Sequence, residues 1–205
     1  MPTTRTKDAC DLLDADHRAV KKLFKEYEEL TQSRARSAAQ KKLDLAHRIC
    51  MELTVHAQIE EEIFYPALRQ ALKDTDMLDE AEVEHQSAKD LIAQIQEMPV
   101  ADNMFDAKVK VLGEYVDHHV KEEKNEMFTK ARAARKPDLV AMRDELEARK
   151  EELMAGMAEM AWAGEAESHR LPVGGQSRPC SPSFAVSPGR NCAITPGVAL
   201  RPSWP

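Results

Sequence analysis

Apolar positions recur at intervals of three and four through most of the chain, a pattern that predicts helices with short links between them. Leu13, His17, Val20, Leu23 and Phe24 outline a first helix from about Asp8 to Ser33. Ile49, Leu53, His56, Glu60 and Ile63 form one stripe of a second, from about Ser37 to Leu72. The turn-forming segment KDTDM then starts a third helix at about Met77, ending near Pro99, and a fourth runs from about Asn103 to Ala134. Pro137 opens a fifth, carried towards residue 163 by Leu139, Met142, Leu146, Leu153 and Met157. Short links between long helices favour antiparallel neighbours, so the expected architecture is all-α. It is an antiparallel up-down-up-down four-helix bundle over residues 8–135, with an additional C-terminal helix over 137–163.

The periodicity stops near Gly164. Residues 164–205 hold seven of the eleven prolines and five of the seven glycines, which sustains neither a helix nor a core and predicts a disordered tail. An out-of-frame end would read the same way. Charged residues are 32% and aromatics 5%, which suits helices better than a β-sandwich. The net charge of −7 offers no basic face for phosphates, so no nucleic-acid partner is expected. No apolar run approaches the roughly 18 residues of a membrane span. The start, MPTTRTKDACDLLD, also lacks the apolar stretch of a signal peptide, so no membrane association and a cytoplasmic location are expected. Cys10, Cys50, Cys180 and Cys192 lack CxxC spacing, which argues against a thiolate metal site and a disulfide framework. Cys10 and Cys50 are read as reduced thiols, with Cys50 in the core.

One motif is written twice, HAQIEEEIFYP from His56 and HVKEEKNEMF from His119. Each copy sets a glutamate four residues after a histidine, so imidazole and carboxylate share a helical face one turn apart. His17 in the first helix and His85 in the third add one histidine on each remaining bundle helix. Counted from the shared loops, the four differ in level by about 4 to 5 Å at roughly 1.5 Å per residue, within side-chain reach of one another. A lone histidine on an apolar face is ordinarily a hydrogen-bonded core residue. Glu60 and Glu123 change that reading, because a buried carboxylate needs a cation or a donor. Four histidines and two carboxylates converging at one level point to a shared metal site. His47 faces the other side of its helix, and His169 belongs to the tail. His118 is rotated about 100° from His119 and is expected at the surface or behind the ligands. The runs Glu60 to Glu62 and Lys121 to Lys124 are read as solvated faces from which only Glu60 and Glu123 turn inward.

The spacing H…HxxxEExxxFYP…EH…HxxxE, over residues 12 to about 130, resembles the hemerythrin-like, or HHE cation-binding, domain. The resemblance implies a non-haem di-iron centre with His17, His56, His85 and His119 as terminal ligands and Glu60 and Glu123 as bridging carboxylates. Manganese or zinc would suit the same donors. The chain departs from the oxygen carriers of that family, which hold a second histidine one turn from the helix-three ligand. Here the positions four residues either side of His85 are Ala81 and Lys89, leaving six protein ligands where the carriers have seven. Glu82 or Glu52 could supply a further oxygen, and either could equally be a salt-bridging residue; His118 is a third residue near the set. The resemblance implies a protein that binds or senses dioxygen or handles iron. The alternative is a di-iron enzyme consuming peroxide or nitric oxide, and the non-metal reading is an interaction bundle acting through its proline-rich tail.

Overall fold

The computed structural model describes residues 5–35 and 37–168, so most of the expected tail, with His169, Cys180 and Cys192, lies outside the described residues. Helix α1 (Ala9–Thr31) begins at an Asp8 N-cap that accepts from the Asp11 amide at 3.0 Å, while the Asp8 amide donates to the Asp11 carboxylate at 2.9 Å. This reciprocal box satisfies two donors that the first helical turn leaves free. Helix α2 (Ala38–Ile59) continues through a π-turn at Glu60–Phe64 into α3 (Tyr65–Ala71). After α4 (Asp76–Glu97), helix α5 (Phe105–Glu122) passes through a second π-turn at Glu123–Met127 into α6 (Phe128–Ala133). Helix α7 (Leu139–Ser168) extends past the end expected at residue 163.

The π-turns occupy the same place in both copies of the repeated motif, each starting at its glutamate. In the first copy Pro66 has no amide to donate back to Glu62, and its ring crowds that carbonyl, so the wider turn upstream relieves the mismatch. In the second copy the matching Thr129 hydroxyl donates to the Asn125 carbonyl at 3.0 Å. The helical pattern predicts continuous rods through both places, and the rods are continuous; the extra residue per turn is what it does not reveal.

Helix α1 packs against α2 and α5, and α4 closes the ring against the same two, an up-down-up-down bundle. Helix α7 lies outside on α1, α2 and the first π-turn. The core is in two parts. Leu13, Phe64, Tyr65, Leu68, Leu78 and Phe128 belong to one, to which α7 adds Met142 and Leu146; Val20, Ile49, Leu53, Ile95, Phe105 and Leu112 belong to the other. Each buried Leu, Ile or Phe stabilises the fold by about 1.5–3 kcal/mol relative to exposure. Between the two parts lies a layer of buried histidine and glutamate. Cys10 and Cys50 are buried and free, and burial pushes both thiols up to about 12, leaving them protonated. Among the described residues, no helix is long and apolar enough to cross a membrane.

Candidate metal centre

The helical stripes carry the site. His17 sits between Leu13 and Val20 on α1, His56 between Leu53 and Ile59 on α2, and each replaces an apolar side chain in an otherwise regular buried row. His85 on α4 and His119 on α5 take the corresponding places in their helices. Glu60 and Glu123 open the two π-turns and are 0% and 1% exposed. All six residues named from the sequence meet in this one layer.

All four imidazoles turn Nε2 inward. His17 Nε2 lies 2.8 Å from His56 Nε2, and His85 Nε2 lies 3.2 Å from His119 Nε2. The two oxygens of Glu60 divide between the pairs, Oε1 at 3.3 Å from His56 Nε2 and Oε2 at 3.4 Å from His85 Nε2. Glu123 Oε2 stands 3.2 Å from His17 Nε2. Nitrogen and oxygen ligands each about 2.0–2.2 Å from one cation lie roughly 3 Å from one another, the spacing found here. The donors form two groups that share Glu60, one of His17, His56, Glu60 and Glu123 and one of Glu60, His85 and His119. Two histidines with one carboxylate are a donor set that suits iron with open positions.

The outward ring nitrogens explain why Nε2 faces in. His85 Nδ1 is 3.0 Å from Glu61 Oε1, and His119 Nδ1 is 2.8 Å from Glu84 Oε2. A carboxylate accepts, so both Nδ1 atoms carry a proton, and each Nε2 is left to offer its lone pair to a cation that displaces any proton there. Two lone pairs facing each other at 3.2 Å repel unless a cation or proton lies between them. His56 Nδ1 has Asp16 Oδ2 at 3.7 Å, and Asp16 is itself held by Lys150 of α7 at 2.6 Å. The supports follow a circuit in which the acid beside one inward residue reaches the next helix. Asp16, next to His17, faces His56; Glu61, next to Glu60, binds His85; Glu84, next to His85, binds His119. At His56 the contact is too long for a hydrogen bond, and His17 breaks the circuit outright, with no carboxylate by its Nδ1 and its ring stacked on Phe128.

Both oxygens of Glu60 and both of Glu123 are buried without a hydrogen-bond partner. An uncompensated buried carboxylate costs several kcal/mol, so four such oxygens in one layer fit a cationic guest and fit little else. Without a cation the layer titrates as coupled groups. Burial and the neighbouring Glu60 drive the Glu123 carboxyl far up, while burial also opposes ionisation of Glu60 but His56 and His85 outweigh it and hold it low. Burial and the nearby His56 lower His17 to about 2. Burial lowers His85 as well, yet its contacts with Glu60 and Glu61 prevail and raise it to about 9.

Other sequence expectations separate here. Glu82 is exposed and paired with Arg69 at 2.8 Å, and Glu52 turns towards Arg48 at 3.9 Å, so neither oxygen enters the layer. His118 is 63% exposed and lies by Glu84 and Glu122, and His47 is exposed. Glu61 corrects the reading of the glutamate run as a solvated face, because it joins His85 to Lys89, whose ammonium lies 2.6 Å from Glu61 Oε2. Tyr65 was missed altogether. Its hydroxyl is 3.2 Å from His85 Nε2 in a 1% exposed side chain, and the only sequence sign of it is a tyrosine where the second copy has Phe128. An apolar cavity of about 40 Å³ reaches all four imidazoles past Val20, Leu53, Ala88, Ile92 and Val116.

Comparison with known proteins agrees with this geometry. The family model described as the hemerythrin HHE cation binding domain matches residues 8–131. A solved hemerythrin HHE cation binding domain-containing protein from Mycobacterium kansasii superposes with a TM-score of 0.60 at 20% identity, covering 73% of this chain and 89% of that one. At that identity the likeness speaks for the fold. A DNA nickase from Nostoc sp. is 32% identical over 122 residues, which is 60% of this chain and 33% of the relative's length.

Proposed function

The chain belongs to the hemerythrin HHE cation-binding family, and from that premise we propose that the buried layer holds two iron ions and binds or senses dioxygen, or handles iron. The observation that carries this reading is the convergence of four inward Nε2 atoms on four carboxylate oxygens that have no partner. His17, His56, Glu60 and Glu123 would hold one ion, and His85 and His119 with the second oxygen of Glu60 the other. Such a pair supplies redox electrons and an exchangeable position for a small ligand. Around that position the chain's own groups set the conditions. The cavity, with a mostly apolar wall bordered by Asp16, Glu84 and Lys89, suits small uncharged molecules, and Glu61 and Glu84 hold the His85 and His119 rings in orientation. The Tyr65 hydroxyl serves the His85 half as a further ligand oxygen or as a hydrogen-bond donor to what binds there.

Metal analysis of the purified chain, with absorption spectra before and after dithionite, tests this reading. Iron near two per chain with a dithionite-sensitive spectrum supports it; stoichiometric zinc or manganese would replace the metal and keep the ligands; no metal would remove it.

A second reading, an enzyme consuming peroxide or nitric oxide, is favoured by the three-donor half with Tyr65 beside it. Sustained peroxide turnover by protein freed of loosely bound iron would select it, and a reaction that stops at one equivalent would exclude it. The nickase activity named for the Nostoc relative belongs to a protein of which this chain matches one part. With a net charge of −7 the chain is a poor counterpart to a phosphate backbone, and we propose no nucleic-acid partner and a cytoplasmic location.

A further inference from the structure

A second cavity, of about 60 Å³, reaches the layer from the side of α4 and α5, and its chemistry is the reverse of the apolar one. Glu80, Glu84, Glu122, Glu123 and Glu126 line it together with His119, and no lysine or arginine does. Several acidic residues that face other elements are matched, Asp8 by Arg132, Asp16 by Lys150, Glu62 by Arg149 and Asp106 by Lys42. Glu80 and Glu126 have no ion-pair partner among the described residues, and Glu122 has only His118 at 3.3 Å. At the inner end stands Glu123, 1% exposed, with both oxygens unpartnered. Near the outer end, ligand atoms of Glu84, His118 and Glu122 lie within 4.8 Å of one another.

We propose that this cavity is the entry portal for divalent cations, collecting a hydrated ion at Glu80 and Glu126 and passing it by Glu84, His118 and Glu122 to Glu123. The inference rests on the reading that the layer holds cations. Unpaired carboxylates around a narrow mouth focus a negative potential that raises the local cation concentration and the on-rate. The volume exceeds one water position, about 10–15 Å³, several-fold, so an ion can enter with part of its hydration shell. Oxygen donors along the wall then replace waters that a hard divalent cation gives up reluctantly. The first cavity has a mostly apolar wall and sets the Lys89 ammonium beside its two carboxylates, Asp16 and Glu84, so it draws in a cation less readily and offers it fewer oxygens. Ion and uncharged ligand thus reach the layer by separate routes.

The test is the rate at which metal-free full-length protein takes up Co(II), or Fe(II) without air, by stopped-flow absorption. Glu80→Gln with Glu126→Gln removes two exposed charges at the mouth; Glu28→Gln with Glu29→Gln removes two exposed charges on α1 as a control of equal net charge. The portal variant is expected to load about ten-fold more slowly than the control, with a weaker salt dependence and the same final stoichiometry. Equal rates in the two variants would overturn the portal and leave the metal site standing. Failure of the unaltered chain to take up metal would overturn the metal reading and the portal with it. Should the metal-free chain lose its fold, exchange of bound metal for Co(II) in the loaded protein reads the same difference.

Discussion

The His17–His56 half of the layer and the His85–His119 half are built from one repeated backbone segment with different side chains. Each copy runs histidine, glutamate, π-turn and aromatic ring. Behind the first glutamate the ring is Tyr65, whose hydroxyl approaches His85; behind the second it is Phe128, which stacks on His17 with centroids 6.2 Å apart. The residue after each glutamate differs too. Glu61 binds the His85 ring, whereas Lys124 pairs with Asp14 and with no histidine of the layer. One half therefore has four donors and an apolar backing, and the other has three donors, a phenol and two rings steered by carboxylates. The comparison teaches that the π-turn sets where a donor can stand and the side chain after it sets what the half can do. If the layer binds an exogenous ligand as proposed, the His85 half is the one that would take it.

The harshest way to break the comparison is to remove what the halves share. Glu60→Ala should empty both, and with them the stabilisation a bound cation adds, about 4 kcal/mol at a thousand times the dissociation constant. Thermal melts with and without added metal read this; a variant that melts like the unaltered loaded chain would show that Glu60 holds no cation. Unequal supports give a finer division. Glu61→Gln should weaken metal in the His85 half by about 10- to 100-fold, as loss of a ligand's outer partner does. Asp16→Asn should do less, its oxygen being 3.7 Å from His56 Nδ1. Titration with a chelator ranks the two, and the opposite order would reverse the roles given to the halves.

Asp8 lies outside both halves and serves as a control for stability alone. Burial by itself would raise its carboxyl, but hydrogen bonds from Arg132, the Asp11 amide and Arg5 hold it at about 2. A carboxyl held below its free value of about 3.9 stabilises fully above that pH, and the contribution is lost as pH falls through 2. Asp8→Asn keeps a capping oxygen but removes the charge that Arg132 and Arg5 face, and should cost about 1–2 kcal/mol at neutral pH, flatten that acid dependence and leave metal content unchanged. Urea melts at pH 7 and pH 3 measure it, and a loss of metal would mean that the cap reaches the layer. Tyr65→Phe is the smallest change, about 1 kcal/mol of hydrogen bonding, and the most selective. It should keep both metals and alter the visible spectrum or ligand affinity, whereas Phe128→Tyr in the other half should restore neither; identical spectra would remove Tyr65 from the account.

Much of this was legible in the chain because a helix repeats every 3.6 residues. His17, His56, His85 and His119 each interrupt an apolar row, and both the face and the level follow from counting. Counting within one helix says nothing about the phase between helices, and that hid the supports. Asp16, Glu61 and Glu84 each neighbour an inward residue of their own helix but act on a histidine of the next. The π-turns escaped for a related reason. One extra residue in a turn leaves the apolar rhythm nearly intact, and Pro66 was its only mark. Tyr65 followed, since its approach to His85 depends on that turn. The two cavities are properties of packing among four helices and had no counterpart in the pattern.

Metal content tests the central claim most directly, measured in the same preparation as the absorption spectrum, for the unaltered chain and for Glu60→Ala. The account predicts two metal ions per chain with a redox-sensitive spectrum, both lost in the variant while its helical circular dichroism persists. A chain without stoichiometric metal, or a Glu60→Ala variant that keeps both ions, would contradict it.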